Sequence, residues 1–148
     1  MSLSSVFHIA GSGMSAQSTR LNTISSNIAN AETVSSSLEE TYRARKPVFA
    51  TVFADNLKQN GSSSLFAGDD QAGKGVQVKG IVEDQSELQM RYEPDHPMAN
   101  EEGYVFYPNV NVVEEMADMI SASRAFQTNV EMMNTAKQMM QRVLTLGQ

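Results

Sequence analysis

The chain has no cysteine, which excludes disulfides and thiolate metal sites from its 148 residues. It also lacks a basic stripe. The formal charge is −6 and the eleven Lys and Arg are scattered, so nucleic acid is a poor partner. Long apolar runs are missing, and none approaches the roughly 18 residues that a membrane span needs. No Lys or Arg precedes the apolar residues of Met1 to Ala10, and His8 interrupts them. That pattern predicts no cleavable secretory signal peptide, so a chain that leaves the cytoplasm would be moved by another machine. Charge is nearly absent from residues 1–31, where Arg20 stands alone, while residues 32–110 carry thirteen acids and seven bases. Proline is absent after Pro108, and the only later glycine is Gly147.

That last absence leaves room for a long helix. Val112, Met116, Met119, Ser123, Phe126, Val130, Met133, Lys137, Met140 and Leu144 alternate spacings of four and three, and eight of the ten are apolar. A seam kept for more than four heptads predicts one amphipathic helix over about 112–146, roughly 50 Å long. Such a rod needs a partner to bury its stripe. The same rhythm runs through Leu3, Phe7, Ala10, Met14, Gln17, Leu21, Ile24, Ile28 and Ala31, with Gln17 the one polar member. Two matching stripes predict an antiparallel coiled coil of the two termini. Two core helices of an ordinary bundle are the alternative. The first arm is rich in Ser, Thr, Asn and Gly, which disfavours an isolated helix by several kcal/mol, so it is expected to fold on docking. Its small polar side chains suit close packing on several sides.

Between the arms the chain reads as short strands. Pro47 to Phe53 is β-branched and aromatic, Gly75 to Lys79 alternates and continues through Ile81 and Val82, and Leu88, Met90 and Tyr92 alternate again. A small antiparallel sheet or hairpin is the simplest assembly. Residues 55–75 predict a flexible loop. Pro94 and Pro97 predict an extended or turned stretch. Asn109 or Asn111 can cap the last helix, with Glu114 and Glu115 favourably placed in its first turn. The fold class is mainly α with a small β insert. Residues 1–33 form the first helix, 34–110 the β and loop-rich middle, and 111–148 the last helix.

Catalytic chemistry finds little purchase. The run from Gly68 to Gly75 nearly matches a phosphate loop, but Gly75 stands where Ser or Thr would hold Mg²⁺, and a strand-like run follows. His96 beside Asp95 gives two potential metal ligands, which do not make a site. The acid pairs Glu39-Glu40 and Glu101-Glu102 read as solvated. No nucleophilic triad can be assembled. Neither cofactor, metal nor enzymatic activity is expected.

Leu21-Asn22-Thr23-Ile24-Ser25-Ser26-Asn27-Ile28-Ala29-Asn30-Ala31 resembles the N-terminal signature of the bacterial flagellar axial proteins, the rod, hook and hook-associated set. Its core is Ser26 to Ala31, with Asn27 and Asn30 flanking an apolar-small pair. The runs Tyr42 to Phe49 and Tyr104 to Asn129 resemble the basal-body rod members. Where the wider family often turns through Pro-Gly, this chain has Val34 to Ser37 instead. The resemblance implies a structural rod subunit in the periplasm, exported unfolded through the flagellar type III apparatus. It also implies partners: other copies, other rod proteins, the export-gate adaptor and the rod-capping muramidase. The interface residues expected are Leu3, Phe7, Met14, Leu21, Ile24, Asn27, Ile28, Asn30, Val112, Met116, Met119, Phe126, Val130, Met133, Met140 and Leu144. A cytosolic helical adaptor or chaperone dimerising through the same seams is the alternative function.

Overall fold

A computed structural model describes residues 3–52 and 75–146 of the chain. Helix α1 spans Leu3–Ala29 and helix α2 spans Val112–Leu146. Between them lie β1 (Arg45–Thr51), β2 (Val76–Glu83), β3 (Gln89–Tyr92) and β4 (Tyr104–Tyr107). The strands form two separate two-stranded antiparallel sheets, β1 with β2 and β3 with β4. The architecture is mainly α with a small β insert. β4 falls within Tyr104 to Val113, which the sequence shows only as a lead-in to the helix. The loop expected over 55–75 and the phosphate-loop-like run lie outside the described residues, apart from Gly75.

The helices pack against each other in opposite directions. A Cβ on Gly11 would meet Met133 at 3.9 Å, and one on Gly13 would press on the Asn129 amide at 3.0–3.2 Å. Arg20 reaches Asp118 at 2.7 Å, and Asn27 reaches Glu115 at 3.0 Å. Sequence numbers rise along α1 as they fall along α2. The bare Cα of Gly13 leaves the Asn129 amide its place against α1.

Both helix ends have identifiable stops. Asn111 caps α2, its Oδ1 accepting from the Val113 N–H at 3.1 Å and its C=O from Glu115 N–H at 3.0 Å. Asn109 instead ties the approach to α2 to the middle of the chain. Its Oδ1 accepts from the Ala44 N–H at 2.8 Å, and its Nδ2 donates to Ser86 Oγ at 2.7 Å. α1 ends where Asn30 Nδ2 turns back to the Ser26 C=O at 2.8 Å.

The β1–β2 hairpin lies along α1. Its start is held at Asn27, and its far end at Ser12, whose Oγ accepts from the Val76 N–H at 3.1 Å. The register slips once, between Val48 and Phe49, where a bulge bends the hairpin. Gly75 sits at φ +142° beneath α1, and a Cβ there would fall on Ser12 Oγ, so only glycine fits. β4 pairs with β3 on one edge and bridges to Ser35 on the other through the Ser35–Phe106 pair. Val105 of β4 is fully buried.

Candidate assembly surface and the node that positions it

The helix pair is closed over residues that coincide with the apolar seam on alternate turns and lie one position off it between them. On α2 the covered line is Glu115, Met119, Ala122, Phe126, Asn129, Met133 and Ala136, of which Glu115, Ala122 and Ala136 are buried and the others half-buried. On α1 the buried residues are Ala10, Ala16, Thr23, Ile24 and Asn27. Small and polar side chains therefore alternate with Ile24, Met119, Phe126 and Met133 in the contact, and further apolar ones flank it. Phe7, Met14, Leu21, Ile28, Asn30 and Val130 are half-buried, and Leu3 is described only as backbone. Val112, Met116, Met140 and Leu144 are exposed, Met116 by 55% and Leu144 by 67%. The interface set thus divides into a covered group and an uncovered one.

The covered group converges on Asn27, in the middle of the axial-protein signature. Its Nδ2 donates to the Arg45 C=O at 2.9 Å and to Glu115 Oε1 at 3.0 Å. Its Oδ1 accepts from Tyr42 O–H at 2.8 Å and from the Arg45 N–H at 2.9 Å. An asparagine side chain has two donor hydrogens and two acceptor sites, and here all four are used. One buried amide thereby joins α1, the 30–44 link, β1 and α2. Ser26 Oγ lies 3.3 Å from Tyr42 O–H, and the Arg45 guanidinium stacks over the Tyr42 ring at 5.4 Å. The role of Glu115 was hidden in the sequence, where it reads as a helix-dipole residue. The useful signal was Arg20: a lone charge on an otherwise uncharged arm needs an acid opposite, which is Asp118.

Glu115 is a buried acid without a cation in direct contact. Burial pushes its carboxyl above the usual carboxylate range, while the Asn27 amide pulls the other way. Asp118 and Glu114 add like charge, and Lys46 offsets part of it. Lys46 itself is bound to Asp84 at 2.7 Å, and that contact holds Asp84 down at about 2. The two acids act in opposite directions. Glu115 binds its proton more tightly when folded, so its contribution is complete below the unfolded value and is lost as pH rises through the folded one. Asp84 contributes above its unfolded value and loses that contribution as pH falls toward 2. The part of the stability that Glu115 carries therefore falls as pH rises above about 4.5, whereas that of Asp84 falls only in more acid solution. The helix pair is expected to melt at higher temperature near pH 5 than near pH 7. Glu115→Gln, which keeps an acceptor for Asn27, should flatten that difference. Parallel melting curves for the two proteins across the range would refute the assignment.

Among the described residues, no group of three His, Cys, Asp or Glu could hold a metal ion. No helix among them is long and apolar enough to cross a membrane. The open concavities are lined by mixed polar and apolar side chains around the 30–42 link and the β3–β4 sheet. What the surface offers is a paired-helix scaffold with uncovered apolar rows.

Two family models fall on the two arms and their flanks. Residues 7–34 match the model described as flagella basal body rod protein, and residues 101–146 match flagellar basal body rod FlgEFG protein C-terminal. The chain belongs to the flagellar basal-body rod proteins, which are structural subunits. Within that class its relatives are the rod protein FlgC. It is 43% identical over 148 residues to the flagellar basal-body rod protein FlgC of Salmonella typhimurium, covering 100% of both chains. It is likewise 43% identical to that of Yersinia enterocolitica. The FlgC of Borreliella burgdorferi is 39% identical over 152 residues, with 99% of that protein covered. These matches give the cytosolic adaptor alternative no support.

Proposed function

We propose that this subunit builds the rod by burying its uncovered helix rows against neighbouring subunits, the terminal helices supercoiling as an antiparallel coiled coil in the inner layer of a tube. The observation that carries this is the outer face of α2. Val113, Met116 and Ile120 are 75%, 55% and 55% exposed at one end, and Met139, Val143 and Leu144 are 51%, 62% and 67% exposed at the other. Apolar rows of this length on a lone subunit mark a contact surface. Nine of the sixteen interface residues fall clearly into two sets. Ile24, Asn27, Met119, Phe126 and Met133 hold the pair, and Val112, Met116, Met140 and Leu144 meet neighbours. Close helix packing supplies the stiffness that torque transmission needs, and the hollow tube conducts exported subunits. The β hairpins form the outer layer. The partners are other copies, the other rod proteins, the export-gate adaptor and the rod-capping muramidase. The rod stands in the periplasm, reached through the flagellar export apparatus. A weakly helical, nearly uncharged first arm suits passage as an unfolded chain.

The double change Met116→Asp with Ile120→Asp tests this. Both side chains are already exposed, so the free subunit should keep its circular dichroism and melting temperature within about 0.5 kcal/mol of the parent. Rod assembly and motility should be lost. Normal swimming by cells carrying the double variant would count against the reading.

A further inference from the structure

Sulfur is unevenly placed in this chain. Six of its ten methionines lie on α2, and cysteine is absent, so thioethers are the only sulfur groups it has. Two of the six, Met119 and Met133, are half-buried in the line that faces α1. The other four are open to solvent: Met116, Met132, Met139 and Met140 are 55%, 45%, 51% and 39% exposed. Met116 directly follows the buried Glu115, and Met132 directly precedes Met133. Successive helical residues are turned by about 100°, so these two stand on opposite flanks of the pairing face, and Met139, two turns on, shares the flank of Met132. Among the described residues, every large apolar side chain exposed between Ile120 and Val143 is a methionine. Over that stretch, α2 presents large apolar side chains to solvent only while its sulfur is unoxidised.

A thioether is a soft nucleophile, and its reaction with peroxide follows its access to solvent. The sulfur gives an electron pair to one peroxide oxygen and the O–O bond breaks. The departing hydroxide takes the proton left on the new oxygen and leaves as water. Sulfur is oxidised by two electrons and the peroxide is reduced. The product is a sulfoxide, a polar group where an apolar one stood. On a solvated helix face the free subunit tolerates it. Against a neighbour's apolar surface its oxygen must shed water, and burial there without a donor is unfavourable.

Resting on the rod-subunit reading, we propose that Met116, Met132, Met139 and Met140 form a peroxide-sensitive modification site of the free subunit, and that their sulfoxides keep the chain out of the rod. The helix pair itself is spared. Met119 and Met133 are shielded by α1, the Met133 methyl group lying 3.9 Å from where a Cβ on Gly11 would stand. Assembly covers the four exposed thioethers, so the modification acts before incorporation and not after it. A sulfoxide reductase restores the subunit.

Peroxide treatment of the purified subunit, read by peptide mass mapping, should add one oxygen to each of the four at least about threefold faster than to Met119 or Met133, with helix content unchanged. In peroxide-treated cells, the unassembled chain should carry at least about tenfold more sulfoxide at the four positions than chain recovered from basal bodies. The triple change Met132→Gln, Met139→Gln and Met140→Gln imitates the sulfoxide with a neutral polar group and should lower incorporation into basal bodies at least about fivefold. The same three positions changed to Leu keep the apolar volume and should be incorporated like the parent. Met90→Gln with Met98→Gln is the control, since both are exposed away from α2, and that variant should assemble normally. Equal sulfoxide in the two pools, normal incorporation of the Gln triple, or failure of the Leu triple or of the control would overturn the oxidation site and leave the rod subunit standing. Absence of the parent chain from basal bodies would overturn both.

Discussion

Asn27→Ala is expected to cost the free subunit about 3–5 kcal/mol, which corresponds to a fall of roughly 10 °C or more in melting temperature. The figure comes from what the change leaves behind. The methyl group cannot replace any of the four hydrogen bonds of the amide. The N–H and C=O of Arg45 and the buried Glu115 carboxylate would each lose a partner in a place that water reaches poorly. A buried polar group stripped of its partner costs about 1–3 kcal/mol, more when it is charged. Asn27→Asp sharpens the test. It keeps the acceptor for Tyr42 and the Arg45 N–H, but it sets a second carboxylate against Glu115 and the Arg45 C=O. It should be at least as damaging at neutral pH and recover in part on acidification. Asn30→Ala is the control, since Asn30 is half-buried and its amide turns back onto the Ser26 C=O of its own helix. That change should cost about 1 kcal/mol. Equal melting temperatures for Asn27→Ala and Asn30→Ala would show that the node is not what joins the four elements.

The contrast between those two asparagines marks how far the sequence can be read. Hydrophobic periodicity locates both helices, because a four-three repeat over long stretches without proline has few other solutions. It places the covered line one residue off on alternate turns. On α2 the rows share Met119, Phe126 and Met133, but Glu115, Ala122, Asn129 and Ala136 lie inward where the apolar rhythm has Met116, Ser123, Val130 and Lys137. On α1, Gly13, Arg20 and Asn27 reach across to α2 where the rhythm has Met14, Leu21 and Ile28. The reason is physical. Where two backbones come close, the side chains between them must be small or must hydrogen-bond, and a search for large apolar residues finds the flanks. In a subunit built for assembly those flanks are needed for neighbours. Composition therefore reports the sum of the internal and external contacts, and only coordinates separate them. β4 escaped for a simpler reason: four residues, Tyr104–Tyr107, run into Pro108 and the helix cap with no turn signal between.

Ile24 and Ile28 test that separation, because the sequence treats them as one seam and the structure does not. Ile24 is 4% exposed, within the helix pair, while Ile28 one turn later is half-buried. Ile24→Asp would place a carboxylate in the contact. Arg20, one turn back on the same helix, is already bound to Asp118 at 2.7 Å. A buried unpaired charge together with the lost apolar burial should cost about 4 kcal/mol or more, enough to open the pair in the free subunit. Helix content by circular dichroism should fall, and amide exchange along residues 5–29 and 115–136 should become fast. Ile24→Val, which keeps shape and polarity, should cost only about 1 kcal/mol. Ile28→Asp can turn its carboxylate toward water through the exposed part of its surface. It should leave the free subunit folded within about 1–2 kcal/mol and still block rod assembly, since the uncovered part of that side chain belongs to the neighbour's contact. If Ile24→Asp and Ile28→Asp unfolded the free subunit equally, the flanking row would have to be internal, and the division of the helix surface into a pairing face and an assembly face would fail.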